Sequence, residues 1–282
     1  MDPCAIKEIV QEHNGQTYTF PLGVLARNVE GDEEHRFLSE KEWNDLKEKL
    51  EEITRILGNK ADILKVNTTV WVAQNGNDET GDGTQGNPWR TIQKALDDVP
   101  VINGNYVYNI NLQAGTYPGF IASNVSASLT LLGDVEIRSE GMDYPVDVNN
   151  STVTVYGEGH ALRMSGTGFK TYFYIHNSGM FNTYRTNMEV TGYGTERGVG
   201  INVVSNGGFS NPDARVLFRT LETAIKVETN SAFHANQISG SVKNGINVDK
   251  GGVVTYESSD LVAAEVPIYT KSGGRVYSGS QE

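Results

Sequence analysis

Thirty-five carboxylates are the first candidates for chemistry in this sequence. Hydrolysis of a glycosidic bond needs two or three of them on one surface at a fixed separation. In the β-like part of the chain they are Asp134, Glu136, Asp143, Asp147, Glu158, Glu189, Glu196, Asp213, Glu222, Glu228, Asp249, Glu257, Asp260 and Glu265. They stand singly, at positions that do not read as equivalent, and so read as solvated surface charge. Asp97 and Asp98 are adjacent but close a short helix. Residues 75–82 (NGNDETGD) offer oxygen ligands to calcium. They lack the alternating acidic spacing and distal glutamate of a calcium loop, and read as an ordinary turn. His160, His176 and His234 fall in separate segments, no H-x-H or H-E-x-x-H occurs, and Cys4 is the single cysteine. Zinc, a disulfide framework and a thiol nucleophile lose their usual signatures. No catalytic residue, metal ligand or cofactor is assigned.

The aromatics carry more. Tyr172, Phe173, Tyr174, Phe181, Tyr184 and Tyr193 crowd one stretch. Tyr172, Tyr174, Tyr184 and Tyr193 suit three roles: core packing, a subunit interface, in which Tyr is enriched, or stacking on sugars.

Composition sets the frame in which these residues act. The formal net charge is −12, with a pI near 4.9. Phosphate-backbone binding needs a basic surface, so nucleic acid is excluded as a partner. No run of 18 apolar residues suggests a membrane helix, and the first residues, MDPCAIKEIV, do not read as a secretory signal. Glycine is abundant (31) and proline scarce (8), which favours short strands joined by tight turns at positive φ.

The chain has three successive textures. Residues 1–37 are mixed: a short helix over 5–12, an extended piece around Tyr18, Phe20, Pro21 and Leu22, and an acidic link at 30–34. Residues 38–58 hold the clearest helix. Ser39 and Glu42 form a capping box, and apolar residues recur at Trp43, Leu46, Leu50, Ile53 and Leu57. That stripe suits an amphipathic helix packed on its own domain, or a parallel coiled coil. The strict 3.5 period favours the coil, and leucine at a with isoleucine at d favours three or four strands. So short a coil needs support from the C-terminal part of the chain.

From residue 67 to 282 a repeat takes over. Segments opening at Val146, Phe173, Ile201, Ile225, Ile246 and Ile268 share an apolar pair, a polar turn with Asn, Ser or Gly, and a second apolar pair. Their starts lie 27, 28, 24, 21 and 22 residues apart, and such self-similarity marks a solenoid. The unit reads as strand-turn-strand, and closure as a parallel β-helix buries its Val, Ile and Phe in one stack. An antiparallel sandwich would not repeat the turn chemistry in register. Ile201, Val203, Ile225, Val227, Ile246 and Val248 should point inward.

Residues 70–99, VWVAQNGNDETGDGTQGNPWRTIQKALDDV, carry a family resemblance. A strand, a Gly/Asp-rich loop, a P-[WF]-x-T-I-x-x-A motif and a short amphipathic helix resemble the start of pectate-lyase-like, right-handed parallel β-helix proteins, especially phage tailspikes and fibres. In that family the helix covers the open end of the solenoid. Here Trp89, Ile92, Ala95 and Leu96 would be its buried face and Pro88 its first turn. With the repeat, the resemblance covers residues 67–277.

The sequence-based reading is an all-β chain: a right-handed parallel β-helix preceded by a short α-helical coiled coil and a small N-terminal anchor. The order of parts resembles a non-enzymatic phage head fibre, capsid decoration or tail fibre. It implies a homotrimer, made in the host cytoplasm and mounted on the virion, that attaches to capsid or tail proteins and holds host-surface polysaccharide. Small size tilts the choice to the head. One rival is a depolymerase tailspike with an active site between subunits. The other is a bacterial adhesin, weakened by the missing export signal.

Overall fold

The computed structural model describes residues 8–13, 16–21, 44, 47–49, 66–100, 106–138, 142–168, 170–193 and 197–279. The chain divides into two compact units, Met1–Ala61 and Asp62–Glu282.

In the first unit, β1 (Glu8–His13) and β2 (Gln16–Pro21) pair antiparallel, from Glu8 opposite Pro21 to His13 opposite Gln16. Of the helix expected over 5–12, the described residues 8–12 are therefore strand, and 5–7 lie outside the described residues. The sequence between the two strands is Asn14-Gly15, the strongest short hairpin signal, and β-branched Ile9 and Val10 favour extension over helix. Tyr18, Phe20 and Pro21 belong to β2, and Leu22 lies outside the described residues. Asn44, Lys47, Glu48 and Lys49 are helical and exposed, as polar positions beside the expected apolar stripe. Trp43, Leu46, Leu50, Ile53 and Leu57 lie outside the described residues.

The second unit opens with β3 (Thr68–Val72) and helix α1 (Ile92–Asp97). The first full coil is β4 (Tyr108–Leu112), β5 (Gly115–Tyr117) and β6 (Phe120–Ser123). The next is β7 (Ser126–Leu131), β8 (Val135–Arg138) and β9 (Val146–Asn149). Then come β10 (Thr152–Tyr156), β11 (Ala161–Gly166) and β12 (Thr171–His176). After them lie β13 (Met180–Tyr184), β14 (Asn187–Gly192) and β15 (Val199–Val203). In the later coils strands fuse around corners: β16 (Gly208–Arg219) and β17 (Thr223–Val227), β18 (Ala232–Val248), β19 (Val253–Thr270) and β20 (Arg275–Ser278).

Every strand in this 18-stranded sheet pairs parallel with its equivalent one coil away, which is the pattern of a parallel β-helix. Each full coil has three strands rather than two, so the stack has three faces. The first face runs β3, β4, β7, β10, β13, the starts of β16, β18 and β19, then β20. The second runs β5, β8, β11, β14 and the middles of the fused strands. The third runs β6, β9, β12, β15, β17 and the ends of β18 and β19.

The repeat read from the sequence is the register of the third face. Val146 pairs with Phe173, Phe173 with Ile201, Ile201 with Ile225, Ile225 with Ile246, and Ile246 with Ile268. Ile201, Val203, Ile225, Val227, Ile246 and Val248 are all buried. On the first face Phe181, Phe209 and Phe233 occupy one inward register, their rings stacked at centroid distances of 6.1 and 4.8 Å. The apolar void lined by Leu112, Phe120, Leu131 and Phe173 holds only about 10 Å³, so the interior is a packed core and not a ligand cavity.

The corner between the third and first faces repeats its geometry as well as its sequence. Asn124, Asn150, Asn177, Ser178, Ser205, Asn206, Thr229, Asn230, Lys250, Gly251, Ser272 and Gly273 all adopt positive φ. Non-glycine residues are uncommon there, and asparagine tolerates it best. Backbone amides of Asn124, Asn150, Ser178, Asn206, Asn230 and Gly251 each donate to the same turn one coil on. Elsewhere glycine is obligatory: a Cβ on Gly240, at φ +122°, would lie 1.8 Å from the Phe218 carbonyl oxygen.

The two ends of the solenoid differ. At the start, Trp89, Ile92, Ala95 and Leu96 bury against the core, and Thr91 caps α1 by accepting from the Lys94 amide. The covering helix is as expected, except that it begins at Ile92. Pro88 precedes it, and Trp89 bridges to Val72 as extended chain. At the other end Ile268, an inward register position, is 46% exposed.

Candidate binding surface

The side chains that point outward form ladders, because equivalent residues of successive coils stack about 4.8 Å apart. On the second face one ladder runs Thr116, Glu136, Arg163, Glu189. These acids thus share an equivalent position, contrary to the sequence-based reading. The signs alternate along it, since like charges directly opposite would repel. Arg163 reaches Asp134 at 2.8 Å and Glu189 at 3.7 Å, Arg219 reaches Glu189 at 3.5 Å, and Ser165 donates to Glu136. The Ala161 amide, then the Arg163 guanidinium, hold the Asp134 carboxyl below its ordinary pKa.

The third face carries the aromatic feature. Asp147, Tyr174, Asn202, Lys226, Asn247 and Tyr269 form a single outward ladder. Tyr174 lies between two rings, with Tyr144 at 4.6 Å and His176 at 4.4 Å, both nearly parallel to it. Alternation puts Tyr174 and His176 on the same side of β12, which is why they meet. His176 Nε2 is 2.8 Å from Asp147 Oδ1, with both side chains under one-fifth exposed. Lys226 pairs with Glu228 at 2.8 Å. Burial first, then the neighbouring Tyr144, Asp147 and Glu228, raises the Tyr174 phenol above its usual pKa. Both faces of the Tyr174 ring are thus covered, and the cluster is a partly buried stack of rings beside the Asp147 carboxylate.

The four tyrosines singled out from the sequence do not form one patch. Tyr172 is fully buried and donates to the Gly166 carbonyl at 2.9 Å, so it packs the core and is unavailable to a partner. Phe173 and Phe181 are core too. Tyr174 belongs to the third face, whereas Tyr184 ends β13 on the first face, 40% exposed and stacked on Tyr156. Tyr193 is 53% exposed just after β14. Chain proximity brought them together in the sequence. The alternation of strands and the corners between faces part them.

The remaining candidates are accounted for by local bonds. Asp78 accepts from the Arg90 and Thr91 amides and the Thr91 hydroxyl, and Asp82 from the Thr84 amide and hydroxyl. Residues 75–82 thus spend these oxygens on the turn and on the approach to α1. His234 bonds Thr255 at 2.8 Å, and His160 lies 3.9 Å from Asp134. Among the described residues no three of His, Cys, Asp and Glu gather as metal ligands. Sequence reasoning missed the Tyr144–Tyr174–His176–Asp147 cluster. Its only signal was the 27-residue register that sets Asp147 beside Tyr174. No family model, curated protein or solved structure matches the chain.

Proposed function

We propose that the chain is a non-enzymatic structural appendage of a phage virion: a homotrimeric head fibre or tail fibre. In this reading the N-terminal region docks on capsid or tail proteins, a short coiled coil joins three copies, and the right-handed β-helix projects. The protein is made in the host cytoplasm and ends on the virion. The supporting observation is a stack of coils in which several outward acids pair with bases on the same or the next coil, as in Asp134–Arg163–Glu189. Such a surface suits a shaft that buries its core coil by coil. The Tyr144–Tyr174–His176 cluster would hold host-surface glycan weakly, and three copies on one stalk would multiply that hold through effective concentration.

A second reading is a depolymerase tailspike. It draws on His176 and Asp147, an imidazole oriented by a carboxylate, which is what a general base requires. One experiment separates the two. Purified protein is incubated with host capsular or cell-wall glycan, alongside Asp147→Asn and His176→Ala. Under the proposed function no reducing ends or unsaturated sugars appear, and Tyr174→Ala weakens adhesion. Sugar release that either substitution at Asp147 or His176 abolishes would replace it with the depolymerase.

A further inference from the structure

Charge is distributed unevenly over the three faces. The central outward ladder of the first face runs from Thr69 through Asn109, Ser128, Thr154 and Asn182 to Tyr277. The flanking ladders add Ser, Thr, Ala, Val, Met and Tyr. Among the described outward residues of this face, Glu257 and Arg275, on the last two strands, are the only Asp, Glu, Lys or Arg. The second and third faces carry Glu136, Arg163, Glu189, Asp147 and Lys226 in their ladders. A chain of net charge −12 thus keeps one face almost free of charge, with a single acid on its second-last strand.

We infer that the first face is a self-association surface, against which other copies of this chain pack side by side. The inference rests on the parallel trimer of the proposed function. Two acidic chains repel each other, and burying an unpaired charge is costly. The first face is the one by which copies approach with the least of either penalty. Depletion of charge with enrichment in Tyr and Met is the composition of an interface. Here Met180, Tyr156 and Tyr184, at the ends of β10 and β13 on either side of the Thr154–Asn182 ladder, are 36 to 40% exposed. The extent is close to that of a standard interface. Nine strands at ~4.8 Å give roughly 40 Å of length, and about five residues of width give roughly 16 Å. The resulting ~650 Å² approaches the ~800 Å² that each partner gives to a standard interface. Glu257 and Arg275, on the last two strands, fall at the rim.

Cross-linking the full-length chain tests this. In a Cys4→Ser background, Thr154→Cys is compared with Ser241→Cys, an exposed position of the second face, using a short bis-maleimide. In a parallel assembly equivalent residues meet at one height, so Thr154→Cys should yield covalent dimers and trimers and Ser241→Cys should remain monomeric. Sedimentation showing a trimer, with links at 241 and none at 154, would overturn the inference and leave the trimer standing. A monomeric parent at micromolar concentration would overturn the trimer itself, and this surface with it. Absence of links at 154, joined to loss of glycan adhesion in Thr154→Glu/Asn182→Glu, would assign the face to sugar instead.

Discussion

The side-chain amide of Asn150 donates to Oδ1 of Asn124, one coil earlier, across 2.8 Å. Both backbones are held at positive φ, 46° and 57°. Two functions meet in one residue type: asparagine accepts the left-handed backbone and ties neighbouring turns. Asn150→Ala loses both, and should lower the unfolding free energy by about 1–2 kcal/mol. Asn150→Gly keeps the backbone and should cost less. Urea unfolding ranks the two, and equal losses would show that the left-handed geometry contributes nothing.

Val227 is fully buried and pairs in register with Val203 and Val248. An aspartate there has no partner, and an unpaired buried carboxylate costs several kcal/mol or more. Val227→Asp should fail to fold, whereas Lys226→Gln, one residue earlier and outward, should keep the strand signal in circular dichroism. A soluble, folded Val227→Asp would refute the inward assignment.

Burial raises the phenols of Tyr172 and Tyr117 to about 12. The fold therefore favours the neutral form. The stability this contributes is complete below the ordinary phenol value of 10.0 and is lost as pH rises through about 12. Urea midpoints should be flat up to about pH 9.5 and fall steeply above it. Tyr172→Phe should reduce that fall while losing the bond to Gly166. An unchanged alkaline slope in Tyr172→Phe would exclude this phenol as a cause.

The proposed seam after Ser39 calls for a separate test. Leu50→Asp with Ile53→Asp places like charges at the a and d positions, and should weaken both trimer and particle attachment. Deleting residues 1–37 should leave the trimer intact and prevent incorporation into particles. Light scattering and particle composition read the two effects. A truncated chain that still joins the particle would show that the anchor lies elsewhere.

The solenoid was legible because β pairing in a stacked coil forces one inward pattern to recur at the coil length. Phe173, Ile201 and Ile225 announced that period before any contact was known. The covering helix was legible from Trp89, Ile92, Ala95 and Leu96 for the same reason: burial constrains residue type. Outward positions are less constrained, so nothing in the local text around Arg163 showed that Glu136 and Glu189 would flank it. The tyrosines misled because they are close along the chain, and strand alternation sent Tyr172 inward and Tyr174 outward. Asn14-Gly15 was a readable hairpin signal that the apolar spacing of residues 5–12 obscured.

The helix over one end of the stack also sets an order in time. Ile92 and Leu96 precede the coils they cover, so this sealed end leaves the ribosome before the coil that carries Ile268. Coils of 19 to 28 residues take roughly one to six seconds each to synthesise. Each coil therefore emerges after the coil it pairs with has been made. With α1 over the first end, the order of pairing follows the order of synthesis, and the stack has one edge at which to grow, like masonry, course upon course.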